Sequence, residues 1–598
     1  MRLHNREKFL ALNLLLVLGL ILSGCARVVA LGLGVDPGHE AIVLERNVMV
    51  PMQDGVRLAT DIYRPKAEGE YPAIMTRLPY GTDVLMIETL GKFFAKRGYV
   101  FLAQDTRGTF DSEGQYFPMI FEYEDGHDAT AWVTEQPWFD GNLGMWGGSY
   151  FGYTQWEAAP DNPALTCLNP LYTSGSMKEI VFRGGALEHL TIKPWNAGME
   201  QARLEKEGKE GRVEADLTQG WYNEPLRDAI PIDVDSELAE PGTIEKGMEP
   251  WLKHPGDIED VPQLNFDQFY SRVSVPSLLI AGWYDLFLGA QIEDFVRIQE
   301  EGQGNARKTR IIIGPWTHGI PSSKMEKDRL GGIQNFGREF IGWFDYWLKG
   351  VDNGAGEDAP VKIFVMGENI WRDEYEWPLA RTIYTNYYLH SQGHANSVSG
   401  DGRLSTEPPG NEPPDKYDYD PRDPVPTLGG YFLASKHFKP GPADQSRVEK
   451  REDVLVYVTP PLSESIELTG PIQMILYASS SAKDTDFTAK LVDISPNGYS
   501  RNIQNSIIRA RYRDGYQNPS LIQPGKVYEY VIDLWATSNL FLEGHSIAVE
   551  ISSSNFPQYD RNTNAGGEEG LDNIIVANQT IYHDKTYPSH IILPVIPR

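Results

Sequence analysis

The chain is 598 residues long, room for several cores at roughly 100 to 200 residues per domain. With 41% hydrophobic and 23% charged residues and a mean hydropathy of -0.38, it is neither a multi-span membrane protein nor a wholly disordered chain. Its 83 acidic against 54 basic residues leave a net charge of -29, which repels a phosphate backbone and makes nucleic acid a poor partner.

Arg2, Arg6 and Lys8 precede an apolar run over residues 9–22. As a helix that run reaches roughly 21 Å, short of a hydrocarbon core of about 30 Å, so it reads as the apolar region of a signal peptide over residues 1–24. It ends in Leu22-Ser23-Gly24-Cys25, which resembles the bacterial lipobox, in which small residues precede a Cys that is lipidated and becomes the new N-terminus. The expectation is an exported lipoprotein held to a membrane of the cell envelope by Cys25 alone. An ordinary secretory signal with an incidental Cys, giving a secreted or periplasmic protein, is the alternative. Cys167, in the apolar stretch 164–168, reads as a small buried thiol rather than a nucleophile.

From residue 73 short β-rich runs alternate with helical stretches. Residues 73–75, 99–103 and 143–146 read as strands, and residues 89–97, 123–135 and 149–159 as helices. Residues 177–265 are charged and helix-prone, and buried-strand runs return at 275–281 and 310–314. The expectation is a discontinuous sheet domain, 38–176 and 266–382, interrupted by a helical cap at 177–265. Residues 391–426, rich in Pro, Gly and Asp, read as a linker or a long ordered loop. Short β-type runs at 454–458, 472–477, 487–492, 528–534 and 547–551 make residues 383–598 an all-β domain, a β-sandwich or jelly roll.

The densest chemical signal is Gly144-Met145-Trp146-Gly147-Gly148-Ser149-Tyr150-Phe151-Gly152, a strand running into a Gly-flanked Ser and then a helix. A Ser on such a sharp turn needs small neighbours, and the amide that follows can point at an oxyanion. A Gly-rich turn with a capping Ser is the alternative. A hydroxyl needs a base to take its proton, and an imidazole base needs a carboxylate to hold its tautomer. Asp285 and His318 follow consecutive predicted strands, at the ends where α/β sheets build their sites, and complete the order Ser, acid, His. No cluster has metal-ligand spacing and no Gly-rich phosphate loop is present, so no cofactor is expected.

Pro79-Tyr80, Asp105-Thr106-Arg107-Gly108, Gly147-Gly148-Ser149-Tyr150-Phe151-Gly152, Gly282-Trp283-Tyr284-Asp285 and Gly314-Pro315-Trp316-Thr317-His318, taken together, resemble the CocE/NonD family of hydrolases, which includes cocaine esterase, X-prolyl dipeptidyl-peptidase and cephalosporin acylase relatives. The resemblance begins at residues 50–58 and includes residues 484–493. It implies an α/β-hydrolase domain with an inserted helical cap, followed by an all-β jelly roll that packs on the hydrolase and shapes the rim of its site. It also implies Ser149 as nucleophile, His318 as general acid/base, Asp285 as the orienting carboxylate, and an oxyanion hole made by the Tyr150 amide and the Tyr80 phenol. Read from local sequence alone, Tyr80 is a turn aromatic packed after Pro79. Phe287, with Trp283 and Trp316, is expected to line the acyl pocket, with core packing the alternative for the two Trp. A structural ion-pair or turn role is expected for Asp105 and Arg107.

The family covers plain acyl esters, α-amino acid esters, side-chain amides of β-lactams and X-Pro dipeptides. A bound ammonium needs a carboxylate once desolvated. Asp285 is followed by Leu286-Phe287-Leu288 and Tyr150 by Phe151, so the pocket reads as apolar. Neutral or acidic acyl esters rank first, amides and β-lactam side chains second, and X-prolyl dipeptides third. The non-enzymatic alternative is a surface lipoprotein whose β-sandwich binds a glycan or a protein partner.

Overall fold

The strands at the centre of the first domain are short runs of Val, Ile, Leu, Met and Phe, apolar on both faces, as a sheet covered by helices on both sides requires. The computed structural model of the protein describes residues 35–209, 212–213, 232–233, 255–256, 261–319, 333–435, 437–567 and 573–597. Strands β1 (Ile42–Pro51), β2 (Arg57–Pro65), β3 (Tyr71–Leu78), β4 (Val100–Asp105), β5 (Phe139–Gly148), β6 (Leu165–Leu171), β7 (Leu278–Tyr284), β8 (Arg310–Thr317), β9 (Val361–Val365) and β10 (Ile370–Glu374) form one ten-stranded sheet. Its order is β1-β2-β4-β3-β5-β6-β7-β8-β9-β10, parallel from β4 through β9 and antiparallel at both edges.

Two cores sit on the two faces of this sheet. Helix α1 (Leu85–Lys96) buries Met86, Ile87, Leu90, Phe93 and Phe94, one stripe at helical spacing, against Ile74, Phe101, Ile280 and Ile312. On the other face α2 (Glu122–Thr134), α3 (Tyr150–Ala158) and, further along the chain, α5 (Leu288–Glu301) cover Met75, Leu102, Met145, Leu279 and Ile311. Between β6 and β7 the chain leaves the sheet and forms helix α4 (His189–Lys206), preceded by a two-residue ladder pairing Phe182–Arg183 with Ala186–Leu187. Apart from the pairs 212–213, 232–233 and 255–256, residues 210–260 of the expected cap lie outside the described residues. Helix α6 (Ile333–Lys349) returns the chain to the α1 face, where Phe340, Trp343 and Phe344 are buried.

The second domain is all β. Strands β11 (Ile383–His390), β12 (Arg403–Ser405), β13 (Asp415–Tyr419), β14 (Leu455–Val458), β15 (Ile466–Ser480), β16 (Asp486–Ile494), β17 (Ser500–Arg509), β18 (Tyr528–Phe541), β19 (Ser546–Ser552), β20 (Ala577–Tyr582) and β21 (His590–Ile596) form one eleven-stranded system. Its order is β13-β20-β15-β21-β11-β12-β14-β19-β16-β17, with β18 paired to β15. Residues 391–426 are therefore more than a linker. Strand β12 pairs with β11 and β14, and β13 pairs with β20.

The two domains share hydrogen bonds and buried charge. The Met366 N–H donates to the Ser538 carbonyl (3.0 Å) and the Leu540 N–H to the Met366 carbonyl (2.7 Å), while Arg372 grips Glu467 with both terminal nitrogens (3.0 and 2.7 Å). Buried Arg509 holds Asp486 (Nε and Nη2, each 2.9 Å) and Asp560. The Leu187 N–H donates to that same Asp560, tying the insert to the β domain. Arg372 and Arg509 each have carboxylate partners, as burial requires.

Candidate active site

Ser149 stands between the last residue of β5 and the first of α3, with φ 56° and ψ -127°. A positive φ at a non-glycine residue costs about 1 to 3 kcal/mol and persists only where the surroundings impose it. Here they do. A Cβ on Gly147 would lie 2.3 Å from the Phe151 ring, and one on Gly152 would lie 2.4 Å from Thr173 Cγ2. The Ser149 N–H is spent on the Leu171 carbonyl of β6 (2.9 Å). The next amide, that of Tyr150, is the first of α3 and has no acceptor within the helix.

Asp285 follows the end of β7 and is fully buried, and His318 follows the end of β8. Because β7 and β8 are parallel neighbours in register, both residues emerge at the same edge of the sheet as Ser149. His318 Nδ1 lies 2.8 Å from Asp285 Oδ2, and its Nε2 lies 3.1 Å from Ser149 Oγ. The other carboxylate oxygen, Oδ1, accepts the Phe287 N–H at 2.8 Å, so the carboxylate cannot swing away from the imidazole. With Nδ1–H donated to Asp285, Nε2 offers its lone pair to the serine hydroxyl, the geometry a general base needs. The imidazole ring also packs between Phe287 (5.5 Å between centroids) and Tyr172 (6.3 Å).

A cavity opens on Ser149 and His318, walled by Tyr150, Met119, Met177, Ile180, Phe287 and further apolar side chains. Helix α4 adds Thr191, Ile192 and Trp195, and the β domain reaches in with Leu433. No carboxylate or cation lines this cavity among the described residues. Behind its wall stands the buried carboxylate of Glu122, which accepts the Tyr150 hydroxyl (2.8 Å) and faces Arg77 Nη2 (3.0 Å). Burial pushes the Glu122 carboxyl up while Arg77 pulls it down. The balance leaves it above the usual carboxylate range, with Tyr150 and Arg77 already facing it.

Tyr80 meets the cavity wall through Trp195, whose Nε1–H donates to the phenol oxygen at 3.1 Å. Burial pushes the phenol up to about 12, with the indole hydrogen bond acting the other way, so it stays protonated as a donor.

Phe287 lines the cavity, but the two tryptophans placed beside it from sequence do not. Trp283 is buried in the core beneath the sheet, where its Nε1–H donates to the Phe364 carbonyl (2.8 Å) and its ring meets Trp377. Trp316 lies in the opposite core against Tyr172 and Trp371. Strand alternation sends each of them into a core while the residues beyond the strand ends reach the site. Trp195 and Leu433 were missed. Thr191, Ile192 and Trp195 share helical spacing, a signal that could have marked a face, whereas nothing local to Leu433 announces a contact made across the fold.

Arg107 grips Asp125 (3.0 and 2.5 Å) and Asp54 (2.6 Å), and Asp105 is buried beside the turn that contains Asp111, accepting its N–H at 3.3 Å. Cys167 is fully buried and desolvation raises its thiol, so thiolate chemistry is disfavoured there.

A family model described as X-Pro dipeptidyl-peptidase (S15 family) matches residues 54–320, and one described as X-Pro dipeptidyl-peptidase C-terminal non-catalytic domain matches residues 353–592. The cocaine esterase of Rhodococcus sp. (strain MB1 Bresler) is 39% identical over 576 residues, which are 92% of this chain and 98% of that protein. Among solved structures, an α-amino acid ester hydrolase superposes with a TM-score of 0.77 at 26% identity, over 94% of this chain and 97% of its own. An aminopeptidase from the marine sediment archaeon Thaumarchaeota archaeon gives a TM-score of 0.76 at 25% identity, over 94% and 97% of the two chains.

Proposed function

We infer, because this chain belongs to the CocE/NonD family of hydrolases and is a serine hydrolase of acyl esters, that it takes esters with uncharged, apolar acyl groups and that Ser149, His318 and Asp285 carry the reaction. The observation that carries the site assignment is the continuous path from Ser149 Oγ through His318 to Asp285, 3.1 and 2.8 Å, opening on an apolar cavity.

The geometry supports this sequence of steps. Ser149 Oγ attacks the acyl carbonyl as His318 Nε2 takes its proton, and Asp285 stabilises the imidazolium. The negative oxygen of the tetrahedral adduct is assigned to the Tyr150 N–H and the Tyr80 hydroxyl, donors that would stabilise the charge as it develops. Collapse expels the alcohol, which receives its proton from His318 Nε2–H. Water enters, gives a proton to the same nitrogen and attacks the acyl-serine. A second collapse then frees the acid and returns the proton to Ser149.

The acyl preference rests on desolvation. An α-ammonium in this cavity would lose its water and find no carboxylate on the wall, a cost of several kcal/mol unless the amine deprotonates. p-Nitrophenyl butyrate is therefore expected to have a kcat/KM roughly a hundredfold above that of p-nitrophenyl 2-aminobutyrate, with alanyl-prolyl-p-nitroanilide slower still. Equal rates for the two esters, or faster cleavage of the dipeptide anilide, would reverse the assignment.

The anchor is part of the same reading. Residues 1–34 lie outside the described residues, and the support is the basic start, the apolar run 9–22 and Leu22-Ser23-Gly24-Cys25. The protein is an exported lipoprotein on this reading. Cys25→Ala should move the enzyme from the membrane pellet to the soluble fraction and abolish labelling by an alkynyl fatty acid. Unchanged membrane association without label would contradict it.

A further inference from the structure

The described part of the insert touches both residues assigned to the oxyanion site through one side chain, the Tyr80 hydroxyl directly and Tyr150 at its ring. The Trp195 ring stacks on Tyr150 (centroids 6.1 Å apart, planes 16° from parallel), and its Nε1–H donates to the Tyr80 hydroxyl oxygen at 3.1 Å. Tyr80 is steadied from another side by an edge-to-face contact with Phe151, 6.3 Å between centroids.

A phenol hydroxyl has one proton and two lone pairs, and conjugation keeps the O–H bond near the ring plane, on one side or the other. An N–H aimed at the oxygen from one side excludes the hydroxyl proton from that side and directs it to the opposite one. The same contact polarises the O–H bond and strengthens it as a donor. Among the described residues the Tyr80 hydroxyl has no protein acceptor of its own, so its proton is left for a substrate oxygen.

We propose that Trp195 is a positioning residue for catalysis, its indole N–H setting the Tyr80 hydroxyl proton toward the acyl oxygen. This rests on the reading of Tyr80 as an oxyanion donor. One consequence is architectural. The hydrolase sheet supplies the nucleophile, base and acid, while α4 of the insert completes the alignment of an oxyanion donor, so the donor is fully set only when α4 is docked.

Stacking and lining roles of Trp195 would act on substrate affinity, whereas the N–H acts on the transition state. The test is a double-mutant cycle on the full chain with p-nitrophenyl butyrate. Trp195→Phe should lower kcat about 5- to 10-fold, the scale of one hydrogen bond, with KM within about twofold. Tyr80→Phe should lower kcat about a hundredfold. The double variant should be no slower than Tyr80→Phe, because the indole then has no hydroxyl to set. Replacing Trp195 by 3-benzothienylalanine, which keeps the bicyclic shape and exchanges N–H for sulfur, should reproduce the Trp195→Phe loss even if the phenylalanine variant packs poorly. Unchanged kcat with raised KM in the Trp195 variants, or fully multiplicative losses in the double variant, would overturn the proposal while leaving Tyr80 in its role. Unchanged kcat in Tyr80→Phe would overturn the oxyanion assignment and the proposal together.

Discussion

Ser149→Ala is expected to lower kcat for p-nitrophenyl butyrate by about 10⁵- to 10⁶-fold, with the fold and the affinity for a non-hydrolysable butyrate analogue retained. The size follows from the role proposed for the hydroxyl: if it is the attacking atom, its loss removes the acyl-enzyme route. The residual rate measures what the oxyanion donors and the cavity achieve with water as nucleophile. Folding should survive because the substitution removes one oxygen from a turn already enforced by Gly147, Gly152 and the Ser149 N–H bond to Leu171, none of which depends on the hydroxyl. A loss of only tenfold would place the nucleophile elsewhere.

His318→Ala is expected to cost a similar factor, since a serine hydroxyl without its base is a weak nucleophile. Asp285→Asn should cost about 10⁴-fold, as the amide can hold the ring in the wrong tautomer. A rate indifferent to the loss of His318 would show that the 3.1 Å contact to Ser149 carries no proton.

The convergence of Ser149, Asp285 and His318 was more legible in the sequence than the cavity they face. Ser149, Asp285 and His318 each follow a buried strand, and a parallel sheet brings such positions to one edge whatever the loops between them do. The glycines around Ser149 declare a turn that no larger side chain fits. Trp283 and Trp316 were misplaced because large apolar residues near strand ends look alike whether alternation turns them into a core or toward a ligand. Leu433 was invisible since its partners are hundreds of residues away, on the other domain.

The fold shows the same division. The apolar runs of the second domain announced β14, β15, β16, β18 and β19, but not β11, β17, β20 or β21, and residues 391–426 hid two short strands. In β13 the pattern is alternation of Asp415, Tyr417 and Tyr419 inward with Lys416 and Asp418 outward. An inward Asp does not read as core until its partners are known. Asp415 takes hydrogen bonds from Ser391 Oγ (2.6 Å), Tyr457 Oη (2.7 Å) and His583 Nε2 (2.9 Å), which hold its carboxyl below the usual range against the opposing effect of burial. Its burial is a tertiary property that local composition cannot express.

The most direct test of the reaction chemistry is the covalent one. The purified chain, treated with a biotinylated fluorophosphonate and analysed by intact mass and peptide mapping, should take up one phosphonyl group, located on Ser149, with uptake slowed by p-nitrophenyl butyrate and absent in Ser149→Ala. Labelling that persists at full rate in that variant, or maps to another side chain, would contradict the account.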